Sequence, residues 1–230
     1  RGVATAHNIW GNSVAILTGD LLFARASQIV SRLGEKALTL QADTFERLCL
    51  GQLHETVGPQ DGEDAVEHYI RVLADKTGSL IAASAQLGAM FANASDEVLQ
   101  PLTNYGEKIG VAFQLIDDVI DIAEAGPSGK TPGTDLRAGV PTLPMLLLRK
   151  QAESDPEAAA LVAFIDSGLE DDQKLAEAVS RLRNHPVAEE AYSEAKRWAD
   201  EAIKDLEPLP ESAVKAALRN FAEAVVDRSN

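Results

Sequence analysis

The sequence predicts an all-α fold, and three observations carry that expectation. Long segments rich in Ala, Leu and Glu favour helix, no run of alternating β-branched residues marks a sheet, and Gly or Pro punctuates the chain between helical segments. With 230 residues, 45% of them hydrophobic, the chain can bury a substantial core as a single domain spanning 1–230.

Helices are expected over about 11–33, 35–57, 63–74, 76–93, 96–123, 142–151, 171–183, 187–206 and 211–228, with a further short one around 156–167. The 76–93 segment contains the small-residue run Leu80 to Ala89, which suits close helix packing. The 96–123 segment ends in the apolar stretch Phe113 to Ile122, and Gly126, Pro127 and Gly129 break the chain after it. Pro186, Pro208 and Pro210 punctuate the C-terminal helices. There is no fixed-period repeat and no low-complexity tract.

Asp and Glu number 36 against 21 Lys and Arg, a formal charge of −15. Nucleic-acid binding needs a basic footprint, so the balance excludes that class. An anionic ligand would have to meet the few cations gathered where it lies. Cys49 is the one cysteine, which excludes an internal disulfide, fits a reducing compartment and reads as a small buried apolar residue. Charges interrupt the apolar runs, so no transmembrane segment is expected, nor does a basic, apolar leader open the sequence. The expected location is cytoplasmic. His7, His54, His68 and His185 are scattered without metal-ligand spacing and read as packing or surface residues. No Ser-His-Asp or Cys-His nucleophile site and no GxxxxGK[ST] phosphate loop is present.

The most informative segment is Phe113-Gln114-Leu115-Ile116-Asp117-Asp118-Val119-Ile120-Asp121-Ile122. On a helix, residues four apart share a face, so Asp117 and Asp121 point the same way, Asp118 flanks them, and Gln114 sits one turn earlier. The apolar neighbours imply burial, and buried carboxylates need a counter-charge. Mg²⁺, which takes one or two carboxylates together with water and substrate phosphates, is a natural candidate. A solvated acidic face, or carboxylates paired with Arg or Lys, is the alternative.

Two further elements bear on that choice. Lys130-Thr131-Pro132-Gly133-Thr134-Asp135 reads as a loop offering an ammonium, two hydroxyls and a carboxylate, a set suited to a phosphate beside a metal. Upstream, Lys76-Thr77-Gly78-Ser79 opens the small-residue run, where close packing would draw Lys76 and Thr77 inward.

Gly19 to Ala26, Lys76-Thr77-Gly78, Phe113-Gln114 with the DDxxD, Lys130 to Asp135, and Pro141-Thr142-Leu143-Pro144 follow one another in this order. Their order and spacing resemble the trans-polyprenyl diphosphate synthases of the long-chain bacterial type. The resemblance runs from the first residue to the ending Val225-Val226-Asp227-Arg228-Ser229. It implies an isoprenoid-synthase-type helical bundle around a central cavity. The implied activity is a Mg²⁺-dependent prenyltransferase joining isopentenyl diphosphate head to tail to an allylic diphosphate. It implies a homodimer or a heteromer, with a lipid product passed on to a membrane.

Carried over residue by residue, the resemblance makes Asp117, Lys76 and Lys130 catalytic. It makes Asp117, Asp118 and Asp121 the metal residues, with Asp117 the direct ligand, Asp121 supporting through water, and Asp118 acting through water or on a neighbouring cation. Lys76, Thr77, Gln114 and Lys130 would bind the allylic diphosphate, and Arg1 would end the Arg-Arg-Gly element that binds isopentenyl diphosphate. Asp135 would hold metal-bound water or the Lys130 loop. Leu17, Leu21, Phe23 and Ala24 would line the product tunnel.

Two departures stand out. Val140 occupies the place where the family commonly has a lysine before Thr-Leu-Pro. The family's first aspartate-rich motif would lie before Arg1, so the resemblance reads the chain as incomplete at its N-terminus, with one of two metal-binding walls. That leaves part of a longer enzyme, an inactive fragment, or a subunit whose partner supplies the other wall. A non-catalytic subunit of a two-component synthase and a class I terpene cyclase are the competing readings.

Overall fold

The computed structural model describes residues 4–123 and 132–228. Among them are twelve α-helices, one π-helical turn and no strand. The all-α expectation holds. The helices are α1 (Ala6–Trp10), α2 (Asn12–Val30), α3 (Glu35–Val57), α4 (Ala65–Leu73), α5 (Ser79–Phe91), α6 (Asp96–Asp121), α7 (Thr134–Arg137), α8 (Leu143–Gln151), α9 (Pro156–Asp166), α10 (Asp172–Arg183), α11 (Pro186–Asp205) and α12 (Ala213–Asp227), with the π-turn at Ala74–Gly78. The chain divides into two compact units, Arg1–Glu46 and Arg47–Asn230.

In the first unit, Thr5 caps α1 by accepting from the Asn8 N–H at 3.3 Å, and Gly11, at φ 81°, turns the chain into α2. A stack of Phe23 on Phe45, with centroids 3.9 Å apart, and a 2.9 Å bond from Gln41 to Ser27 tie α2 to α3. No residue of α2 is buried, and Leu17, Leu21 and Leu22 stand out to solvent. This helix departs from the membrane expectation. Asp20 and Arg25 interrupt its 19 residues, yet by length and composition it is long and apolar enough to cross a membrane. The same composition serves a helix covered on all sides by protein.

The second unit is built around α6. Ile109, Val111, Ala112, Leu115 and Ile116 are wholly buried along it, and α5, α11, α12, α4 and α8 pack against it. Helix α11 meets it with Ala191, Ala195, Ala199 and Ala202, a stripe of small side chains that lets the two helices approach closely. A second core gathers Ile122, Leu148, Leu161, Leu175, Leu182 and Val187 from α8 to α11 beyond the end of α6. The aspartates therefore lie at the junction of two cores.

Backbone approach is closest on one face of α6. A Cβ at Gly106 would lie 2.5 Å from Ala82 Cα, and one at Gly110 would lie 2.6 Å from Gly78 Cα. Both contacts leave room only for hydrogen. The break expected between the 63–74 and 76–93 segments is absent. No Gly or Pro interrupts Ala74-Asp75-Lys76, so the helix continues and absorbs the irregularity as the π-turn. Helices α1 and α7, too short to show periodicity, are the additions to the expected set.

Cys49 is exposed on α3, not buried as expected, and remains a free thiol. Replacing Gly110 with Ala is expected to cost about 1–3 kcal/mol, because the methyl meets backbone that has no rotamer to give. Urea denaturation of Gly110→Ala measures this, and an unchanged midpoint would show that the helices can part without loss.

Candidate active site

The face of α6 that takes the π-turn is also the face that carries the acid. Gly106, Gly110, Gln114, Asp117 and Asp121 follow at spacings of three and four, which is one side of a helix. Gly78 touches Gly110, so Lys76 and Thr77 are fixed immediately beside this line. Lys76 is partly buried and its Nζ contacts Glu55 Oε2 at 2.5 Å. Arg47 pairs with Asp75 and Glu107, clamping the π-turn from α3. The half-buried Thr77 and Gln114 complete this part of the site.

The three aspartates have three different environments. Asp118 points inward and is 7% exposed. The Tyr69 hydroxyl donates to both its oxygens at 3.1 and 2.8 Å, and the Leu143 N–H donates to Oδ2 at 2.9 Å. That N–H belongs to the first turn of α8, which has no partner within its own helix. Asp118 thus caps α8 from another helix. Burial pushes the Asp118 carboxyl up to about 7 against the lowering by its two donors, and the charges of Asp135 and Asp117 push the same way. Burial, then the charge of Asp118, drives the Tyr69 hydroxyl well above its ordinary value.

Asp121 is buried as well, and its Oδ2 accepts the Asp135 N–H at 3.1 Å. Its backbone carbonyl accepts the Gly133 N–H at 2.6 Å. Gly133 sits at φ 78°, where a Cβ would lie 2.4 Å from Val179, so the loop turns there only with glycine. Asp135 is held beside Asp121 by its backbone.

Asp117 is different, with a side chain about one-third exposed. Its Oδ1 lies 3.2 Å from an amino nitrogen of Arg228, just past the end of α12, and the same guanidinium lies 4.5 Å from the centre of the Phe113 ring. For Asp117, pairing with an arginine is realised in this structure.

The structure thus brings Asp117, Asp118, Asp121, Asp135 and Gln114 to the end of α6, with Lys76 and Thr77 on the element packed against it. Arg1 and Lys130 lie outside the described residues, as does Thr131. Sequence reasoning missed Tyr69, Glu55 and Arg228, which touch the motif only through tertiary structure. The signal that existed for α8 was Pro141-Thr142-Leu143-Pro144, whose Leu143 supplies the N–H that Asp118 accepts. Of the histidines, His54 and His68 meet edge to face at 6.4 Å, and His68 contacts Glu63 at 3.2 Å.

The helical bundle, with its aspartate-rich helix packed against the Lys-Thr π-turn, agrees with the isoprenoid-synthase-type fold that the sequence resemblance implies. Residues 1–182 match the polyprenyl synthetase family, and the chain belongs to it. The nonaprenyl diphosphate synthase of Mycobacterium tuberculosis is 43% identical over 229 residues, covering 99% of this chain and 68% of that protein. The crystal structure of geranylgeranyl pyrophosphate synthase from Corynebacterium glutamicum, complexed with calcium and isoprenyl diphosphate, superposes with a TM-score of 0.85 at 43% identity, over 99% of this chain and 70% of that one. The polyprenyl synthase of Caulobacter crescentus, in complex with the same two ligands, gives 0.87 at 29% identity over 100% and 70% of the respective chains.

The different surroundings of Asp117 and Asp118 separate by stability. Asp118→Asn turns an amide donor towards Tyr69 or Leu143 and is expected to cost about 1–3 kcal/mol. Asp117→Asn loses one partly exposed ion pair and is expected to cost under about 1 kcal/mol. Chemical denaturation of the two variants checks the contrast, and equal losses would contradict it.

Proposed function

We propose that this chain is the catalytic portion of a Mg²⁺-dependent prenyltransferase that adds isopentenyl diphosphate head to tail to an allylic diphosphate, yielding a polyprenyl diphosphate. The observation that carries this reading is the division of labour at the end of α6. Asp118 and Asp121 fix the frame, and Asp117 presents a partly exposed carboxylate on the face of α6 that meets the Lys76–Thr77 turn two turns earlier.

The residues fit a magnesium ion. The donors are oxygens, and Mg²⁺ is satisfied by one or two carboxylates with water and phosphate oxygens. Among the described residues, no group of three or more His, Cys, Asp or Glu is placed to enclose a metal alone. Asp117 would hold the ion, with Asp121 on the same face and Asp118 behind them. When bound, the ion would neutralise charge building on the departing diphosphate.

The chain's own residues do the rest. Lys76 would exchange its contact with Glu55 for a diphosphate oxygen as a point charge. Thr77 and Gln114 would donate hydrogen bonds that fix the orientation of the same group. Lys130 would add a second ammonium from the loop, and Asp135, tied to Asp121, would hold that loop in register. Arg1 would reach isopentenyl diphosphate. Ionisation of the allylic C–O bond leaves a carbocation. The alkene of isopentenyl diphosphate attacks it, and a proton then leaves for the free diphosphate. Apolar residues around the end of α6, buried in this structure, would help keep water from that cation.

A homodimer is part of the proposal. Its support is the apolar surface of α2, where Leu17, Leu21 and Leu22 are each about two-thirds exposed, more apolar area than a lone helix keeps in water. We place the protein in the cytoplasm, where both water-soluble diphosphates would reach it.

Incorporation of labelled isopentenyl diphosphate onto farnesyl diphosphate with Mg²⁺, with products resolved by length, tests the reading. Extended product is expected, and Asp117→Asn should slow it by at least about 100-fold, the scale of losing one main electrostatic stabiliser. Near-normal turnover in that variant, or binding of neither diphosphate by the parent chain, would overturn the assignment.

A further inference from the structure

The C-terminal helix delivers a cation onto the motif. Helix α12 ends at Asp227, and Arg228 follows it with its guanidinium 3.2 Å from Asp117 Oδ1 and stacked at 4.5 Å on Phe113. Phe113 lies one turn before Asp117 on α6, so ring and carboxylate form a two-point seat for one guanidinium. The seat is supported from below. The α12 residues Ala222, Val225 and Val226 belong to the same core as Ile109, Leu115 and Ile116 of α6, which fixes the end of α12 relative to the motif.

We infer that Arg228 is an internal competitor for the metal site, an autoinhibitory contact that occupies Asp117 until a divalent cation displaces it. This rests on the reading of Asp117 as the outward metal ligand. The argument is one of shared valence. Arg228 sits on Oδ1 of the carboxylate that would hold the ion. Two cations within contact distance of one carboxylate repel each other, so the guanidinium weakens the ion's hold until it moves away. The contact is partly exposed on both sides, which keeps the exchange within reach of a modest affinity difference. Once displaced, Arg228 keeps its hold on Phe113 and stays beside the site. There a phosphate oxygen arriving with the ion can take the place of Asp117 in its fork.

Among the described contacts, Asp117 is the aspartate of the three that meets an arginine, whereas Asp118 accepts from Tyr69 and Leu143 and Asp121 accepts the Asp135 N–H.

Mn²⁺ binding to the full 230-residue chain, followed by the electron paramagnetic resonance of the free ion, tests this without any turnover. Arg228→Gln is expected to tighten Mn²⁺ binding about twofold to fivefold, the range of a partly exposed ion pair. Arg228→Lys, which keeps the charge, should stay near the parent. Asp117→Asn should abolish the site in every background. Unchanged or weaker binding in Arg228→Gln would overturn the inference while leaving Asp117 as ligand. Mn²⁺ binding that ignores Asp117→Asn would overturn the ligand assignment and the inference with it.

Discussion

The contact between Gly78 and Gly110 is the constraint on which the site depends. It sets the π-turn against α6 at a separation that admits no side chain, and so fixes where Lys76 and Thr77 sit relative to the acidic face two turns further along. Both partners are backbone, so neither can rotate away. Around this point the small residues are consistent with one another: Gly106 meets Ala82, and the alanine stripe of α11 covers another side of α6. Large side chains elsewhere, Ile109, Leu115, Ile116 and Leu143, are wholly buried and supply the bulk of the core around these close approaches.

From that frame follows a separation of roles among carboxylates of identical chemistry. Asp118 and Asp121 are spent on helix and loop ends: one caps α8, the other receives the Asp135 N–H at the start of α7. These bonds give two segments distant in sequence a fixed origin on α6, so the whole 132–151 stretch is referenced to the motif. Asp117 has no such backbone duty in the described contacts and faces an arginine instead. Environment, not residue type, decides which aspartate is available to a ligand.

Much of this was legible in the sequence. The helix periodicities located most elements within a few residues, and the order of the Lys-Thr, DDxxD and Pro-Thr-Leu-Pro elements identified the family. Short range is what failed to show. Helices α1 and α7 are each about one turn long and carry no periodic signal, and the π-turn needs tertiary contact to be preferred over a break. The membrane criterion depended on an average that two charges in α2 do not lower enough, and the exposure of Cys49 depends on which face of α3 is covered. Within the site, Asp117 and Asp121 were placed on one face by spacing alone. Tyr69 and Arg228, 48 positions before and 111 after Asp117, could not be placed by any local pattern.

The net charge of −15 makes the cations near the motif informative. Lys76 is held by Glu55, and Arg228 is held by Asp117. Neither waits as an uncompensated charge, which would be costly in a partly buried setting. Under the proposed function, ligand binding at such a site would be exchange: a diphosphate would take over lysine and arginine, and a divalent ion the released carboxylate. Exchange keeps the local charge close to balanced before and after binding. It follows that an acidic protein can bind an acidic ligand without a basic patch, provided that metal and diphosphate arrive together. Either one alone leaves a carboxylate or a cation without its partner.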